Sequence, residues 1–262
     1  MNVMNIRLLF SQNDHGTKTR LIAITSLFLV GCSFPTWAQA QNDLTLTVSP
    51  PLFQISVAPG DVWKSSVNIV NPNEYPLFVS VQPVNFEAEG EAGRASFKPI
   101  LSGEKSQRVS LATWIEVPSA PVEVSPGSTE KVPFTILVPE DAAPGGHYAA
   151  LMISNQTEEV TGESAITISS SVASLLFMRI AGEVQEDGLI RSFSSTQALY
   201  QEPTVEFDLR FQNLGNVHLQ PQGTIVIYNM FNRERGRISL NRNPEYGNVL
   251  PNSVRNFSFT WK

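Results

Sequence analysis

From residue 43 onward the hydrophobic pattern alternates, segment after segment, with the period of a strand, and this period narrows the possible folds more than any other feature of the chain. In Val205-Glu-Phe-Asp-Leu-Arg-Phe-Gln212 the apolar residues 205, 207, 209 and 211 fall on one side and the polar residues between them on the other. That pattern describes a half-buried antiparallel strand. Val132, Phe134, Ile136 and Val138 repeat it, as do Phe257, Phe259 and Trp261 near the end and Leu44, Leu46 and Val48 near the start. No stretch of similar length carries a helical i, i+3, i+4, i+7 stripe, and residues 110–115 have room for a single helical turn.

One phrase opens the alternation three times: Val57-Ala-Pro-Gly-Asp61, Val124-Ser-Pro-Gly-Ser128 and Val249-Leu-Pro-Asn-Ser253. Proline presets the first turn angle, and Gly or Asn accepts the positive φ that a type II turn requires next. The intervals of 67 and 125 residues far exceed the ~20 to 50 of stacked repeats, so the phrase reads as a recurring sandwich edge turn. The expected fold is therefore all-β, with two tandem Ig-like β-sandwich domains, at residues 41–185 and 189–262, joined near Gly182 to Gly188. The second has about seventy residues where a seven-stranded sandwich takes ~100, and it stops on an alternating strand. An incomplete second sandwich is expected, with further strands and an anchor following Lys262.

Residues 1–40 read as an address. Lys18 and Arg20 precede an apolar run over residues 21–30, which falls short of the ~18 residues of a transmembrane helix. Pro35 and the small residues Ala38 and Ala40 set a cleavage site before Gln41. A rival route stays open: Leu29-Val30-Gly31-Cys32 resembles a lipobox, in which Cys32 is acylated and anchors the chain. Soluble export is preferred, because Pro35 and the Ala-x-Ala site are superfluous if Cys32 is the new N-terminus. Both routes give an exported protein, in the periplasm or at the cell surface.

Removal of that segment leaves 222 residues with 15 basic and 23 acidic side chains and no cysteine. No disulfide can staple such a chain, so sheet burial must hold it. Its acidic balance argues against nucleic acid as a partner. Membrane contact is expected only through lipid on Cys32 or an anchor beyond Lys262.

Signals for chemistry are few. His147 follows Pro144-Gly-Gly and is expected at a tight turn feeding a strand, and His218, after Asn213-Leu-Gly-Asn216, is expected to be a strand residue. Neither has the neighbours of a metal motif. Ser102-Gly-Glu-Lys105 and Ser128-Thr-Glu-Lys131 match the Ser-x-x-Lys pattern, but that nucleophile needs a helical turn and a Lys-Thr-Gly partner, which are missing here. Glu87, Glu89 and Glu91 around Gly90 offer oxygen ligands for Ca2+, although their spacing matches no calcium loop and suits a solvated hairpin tip. Trp63, Trp114 and Trp261 offer a stacking platform for sugars; their alternating or tightly bounded surroundings favour core packing. Asn155-Gln-Thr157 and Asn256-Phe-Ser258 are sequons by pattern only.

Val48-Ser-Pro-Pro-Leu-Phe-Gln-Ile-Ser-Val-Ala-Pro-Gly60, Val67-Asn-Ile-Val-Asn-Pro-Asn73, Val138-Pro-Glu-Asp-Ala-Ala-Pro-Gly-Gly-His-Tyr148 and Phe211-Gln-Asn-Leu-Gly-Asn-Val-His-Leu-Gln-Pro-Gln-Gly223 resemble the strand and turn grammar of bacterial surface Ig-like domains. The chain resembles the WxL-interacting cell-surface proteins and exported proteins similar to them. The resemblance implies a surface module that binds peptidoglycan or a partner surface protein. The family's C-terminal transmembrane segment and basic tail are missing here, which leaves the mode of anchoring open. A fainter likeness is to periplasmic pilus chaperones, paired Ig-like sandwiches that clamp a subunit's carboxylate with a basic residue on the first strand; residues 43–49 contain none. The expected function is a non-enzymatic envelope module recognising cell-wall polymer or another surface protein, with no cofactor. The alternative is a periplasmic chaperone that completes a client's sheet by strand addition, and an unpaired, alternating edge strand beside a basic cleft between the domains favours it.

Overall fold

The computed structural model describes residues 44–100, 110–155, 170–197, 204–241 and 247–262. The chain is all-β and built of Ig-like sandwich layers. In chain order the first strands are β1 (Thr47–Ser49), β2 (Leu52–Val57), β3 (Val62–Val70), β4 (Leu77–Glu89), β5 (Arg94–Lys98), β6 (Ile115–Glu116), β7 (Val122–Val124), β8 (Thr129–Leu137), β9 (Gly145–Asn155) and β10 (Ser171–Ile180). A 3-10 turn at Leu111–Trp114 fills the place expected for one helical turn. One sheet runs β1-β3-β8-β6, and the facing sheet runs β2-β10-β9-β4-β5 with β7 also beside β4. Through Pro50 and Pro51 the chain crosses from the first sheet to the second, where β2 lies parallel to β10.

Period two explains the core between these sheets. Val67 and Ile69 of β3 and Val132, Phe134 and Ile136 of β8 point inward from one side. Val79, Leu151, Ile153, Leu176, Met178 and Ile180 meet them from the other. Each side chain so buried contributes roughly 1.5 to 3 kcal/mol. Trp114 is buried among them, and Trp63 packs edge to face with Phe53 and Phe134.

The remaining strands are β11 (Gly188–Ser195), β12 (Val205–Asn213), β13 (Gly223–Tyr228), β14 (Glu234–Leu240) and β15 (Val254–Trp261). They form a β11-β12-β15 sheet and a β13-β14 hairpin. The register Phe207↔Phe259 and Leu209↔Phe257 puts the alternating apolar residues on one face, as the sequence pattern requires. Gly236 of β14 lies against the Trp261 indole, where any side chain would collide with the ring. β11 is exposed along its whole length and is broken by a bulge between Ile190 and Ser192. All these strands belong to one compact unit, Asp43–Lys262.

The three proline turns take the geometry their sequence demands. Gly60, Gly127 and Asn252 have φ of +83°, +63° and +56°. The N–H groups of Asp61, Ser128 and Ser253 donate back to Ala58, Ser125 and Leu250, each at 3.2 Å. A strand-end asparagine locks two of these turns in the same way. Asn71, fully buried, donates through its amide to the carbonyls of Tyr75 (2.8 Å) and Val124 (2.9 Å), and its carbonyl accepts from the Asn73 N–H. Asn213, also fully buried, donates to Val217 (2.7 Å) and Val249 (2.8 Å) and accepts from the Gly215 N–H. The backbone repeats the device: Asn71 N–H donates to Ser128 and Asn213 N–H to Ser253.

Three local expectations are corrected. Leu44 and Leu46 precede β1 and pack on the core as irregular chain, because pairing with β3 begins at Thr47. His147 lies within β9, which starts two residues earlier than the Pro-Gly-Gly turn suggests. His218 is in a loop, because the Asn213 side chain curls the chain over residues 214–217 before β13 begins.

Candidate functional site

β10 carries two sets of side chains. Its even positions, Ser174, Leu176, Met178 and Ile180, are buried on the core side. Leu175 and Phe177 face outward, and there they line a cleft of about 110 Å³ with Phe86, Arg94, Val254 and Arg255. Phe177 stacks on Phe86, with ring centroids 5.7 Å apart. Two arginines therefore enter a hollow whose walls are part aromatic and apolar and part polar, with Asn248 and Ser253 among them. Arg255 sits 5.3 Å over the Phe257 ring and donates from Nη1 to the Asn248 carbonyl at 2.9 Å. Its Nε is buried and has no hydrogen-bond partner, and burial pushes its pKa down. A guanidinium in this position is suited to an anionic group with an apolar flank.

The strand's edge is as uneven as its faces. β10 pairs with β9 from Ser171 to Ile180, but with β2 only from Leu175 onward. Among the described residues, no strand is paired with the outer edge from Ser171 to Ser174, and the fully buried Ser174 donates its hydroxyl there to the Pro50 carbonyl at 2.7 Å. Leu175 N–H donates outward to the Pro51 carbonyl at 2.9 Å, and backbone groups alternate sides along an antiparallel strand. The N–H groups of Ser171 and Ala173 consequently point to that same open edge.

The cleft is held by contacts that run across the unit. Phe177 also meets Tyr148 and His218, at centroid distances of 5.1 and 5.0 Å. Burial first, and then Arg179, push the His218 pKa below its ordinary 6.5, while burial pushes the Tyr148 hydroxyl up. Asn216 accepts from Gly146 N–H (2.8 Å) through its backbone and from Gln185 N–H (2.8 Å) through its side chain. Glu91, in the β4–β5 turn, takes a two-pronged contact from Arg210 of β12, with Nε at 2.6 Å. The Glu91 carbonyl also accepts from Asn256 N–H at 2.7 Å.

Arg210, chiefly by hydrogen bonding, holds the Glu91 carboxyl below its usual value of 4.5. A depressed acid favours the fold while it is ionised, so this support is complete above the ordinary carboxylate range and is lost as pH falls through the lowered value. Melting curves of the wild type and Glu91→Gln are expected to differ slightly near neutral pH and to converge on acidification. A gap that widens toward low pH would contradict this assignment.

The structure disperses the residues singled out for chemistry. His147 is buried, its ring 4.8 Å from that of Trp114, with Nε2 2.8 Å from the Ala143 carbonyl. Glu87 pairs with Lys98 and Glu91 with Arg210, so the acidic trio does not converge. No group of three or more His, Cys, Asp or Glu side chains suited to a metal occurs among the described residues. Ser128 closes a turn and Lys131 lies on β8, without the helical turn the nucleophile pattern needs. Asn256 is a β15 residue whose amide donates to Asp208 at 3.3 Å. Cys32, Ala38, Ala40, Gln41, the stretch from Ser102 to Lys105 and the Asn155 sequon beyond its first residue lie outside the described residues.

No family model matches the chain, the WxL-interacting proteins included, and no curated protein matches it. Solved structures that include chaperones match the chain at low similarity. The class 5 fimbriae chaperone CfaA has a TM-score of 0.45 at 11% identity, over 81% of this chain and 84% of its own. The E. coli chaperone DraB has a TM-score of 0.41 at 12% identity, over 81% and 85%. A structure of the Salmonella enterica SafA pilin in complex with the SafB chaperone has a TM-score of 0.41 at 10% identity, over 81% and 83%.

Proposed function

We propose that the protein is a non-enzymatic module of the cell envelope that takes a strand of a partner protein onto the open edge of β10, as a chaperone does. The carrying observation is the stretch from Ser171 to Ser174, where β10 is paired on one side only among the described residues. Backbone donors there face outward, and an incoming strand gains affinity from main-chain hydrogen bonds. The cleft beside Leu175 and Phe177 adds selectivity, because Arg94 and Arg255 supply positive charge for an anionic group of the same partner. This site takes the place of the first-strand basic residue that residues 43–49 lack. Export through cleavage before Gln41 to the periplasm, or anchoring at Cys32, belongs to the same proposal, as does the division into Ig-like domains at residues 41–185 and 189–262.

Proline separates edge from ladder. Ala173→Pro deletes an outward N–H and leaves the β9 hydrogen bonds intact, a substitution that edge strands tolerate. Val172→Pro deletes an inward N–H and costs about 1 to 3 kcal/mol of stability. With envelope extract as the source of partner, Ala173→Pro is expected to lose capture of the protein that the wild type retains, at a nearly unchanged melting temperature. Undiminished capture by Ala173→Pro, or a wild type that retains only wall polymer, would defeat the proposal.

A further inference from the structure

The most exposed apolar side chains among the described residues stand at one point, the turn of the β13–β14 hairpin. Met230 is 90% exposed and Phe231 75%. The turn that carries them is a tightly bonded one. Asn229 Oδ1 accepts from the N–H groups of Phe231 (3.0 Å) and Arg233 (2.9 Å), while its own N–H donates to the Arg233 carbonyl at 2.9 Å. Asn232 closes the turn with φ of +57° and an N–H donated to Asn229 at 2.9 Å. A rigid turn loses little entropy when its apolar tip is buried, so the pair is pre-organised for transfer out of water.

Charge surrounds the tip. Arg233, Arg235 and Arg237 follow within seven residues of Met230, in a chain whose net charge is −6. Arg237 is occupied by Glu234, whereas Arg233 and Arg235 are exposed and make no ion pair among the described residues. We propose that this hairpin tip docks on the surface of a bilayer containing anionic lipid. Met230 and Phe231 enter the boundary between headgroups and acyl chains, and Arg233 and Arg235 meet the lipid phosphates. The site is separate from the β10 edge and needs neither Cys32 acylation nor an anchor beyond Lys262.

The test is a position-specific probe in the full chain, so that lipid contact elsewhere does not count. In a Cys32→Ser background, an environment-sensitive fluorophore is placed on Phe231→Cys and, separately, on Glu130→Cys, an exposed β8 position. Vesicles containing phosphatidylglycerol are expected to shift the emission of the first probe to the blue and leave the second unchanged. Phosphatidylcholine alone should give no shift, and added salt should weaken the response. Arg233→Glu with Arg235→Glu should lower vesicle affinity by more than about thirtyfold, the effect of losing the two cations alone, without changing the melting temperature. The proposal is overturned if the Phe231 probe stays in water with anionic vesicles at low salt. It is overturned equally if the shift is as large with phosphatidylcholine, if the Glu130 probe shifts alike, or if the charge reversals leave it intact.

Discussion

Asn71→Ala should destabilise the protein by about 3 to 5 kcal/mol, a large fraction of the stability of an ordinary domain. The amide satisfies the carbonyls of Tyr75 and Val124, and its oxygen satisfies the Asn73 N–H, at a position fully shielded from water. Alanine restores none of these bonds, and each group stranded without a partner costs about 1 to 3 kcal/mol. Aspartate is no substitute, because an ionised carboxylate accepts and cannot donate to the two carbonyls. Asn213→Ala removes the matching set in the second half and should cost a similar amount. Denaturant melts of both variants are the measurement; losses under 1 kcal/mol would show that water or a shifted backbone replaces the amide.

Gly215→Ala is expected to cost about 2 to 3 kcal/mol, as overpacking of a tight site does. A methyl group there would fall on the Gln185 carbonyl oxygen and within 3.0 Å of the Asp187 nitrogen. Both are backbone atoms and cannot swing away. Gly215 and Leu214 also donate to the Asp187 carbonyl, at 3.1 and 2.8 Å, and Asn216 donates to Gln185 at 3.0 Å. The added methyl group should therefore separate residues 185–187 from the loop that follows β12. Limited proteolysis should then cut between Ala181 and Asp187 faster in the variant, with the β9–β10 sheet still protected. Equal cleavage rates would place the strain elsewhere.

Layer, strand and turn were legible from residue order because they depend on local chemistry. The alternation in Val205-Glu-Phe-Asp-Leu-Arg-Phe-Gln212 predicts the face that β12 buries, and Pro with Gly or Asn predicts the three positive φ values. The cleft was not legible. Arg94 and Arg255 lie 161 positions apart and meet only because β5 and β15 approach across the unit, a pairing that no local pattern encodes. The open edge of β10 was hidden for a different reason. Its apolar run, Val172 to Met178, gives the same signal whether a neighbour covers the whole strand or half of it; the length of β2 decides that. The asparagines had a visible signal, since Asn71 and Asn213 stand in phrases already noted for their grammar. What those phrases lacked was the partner: the carbonyls they reach belong to turns 53 and 36 residues away.

The bulge in β11 bears on behaviour in a crowded compartment. A protein that recruits a strand at one edge presents a hazard at every other edge, because backbone hydrogen bonding does not distinguish a partner from a second copy. β11 is the most tempting of these, with Leu189, Ile190 and Phe193 all exposed. Its register breaks at Arg191, so an approaching flat strand meets a kink and a charge where the ladder would continue. The outer edge of β5 is bounded by Arg94 and Lys98. Under the proposed strand addition at β10, the kink in β11 and the charged ends of β5 make those two edges poorer templates for a second copy.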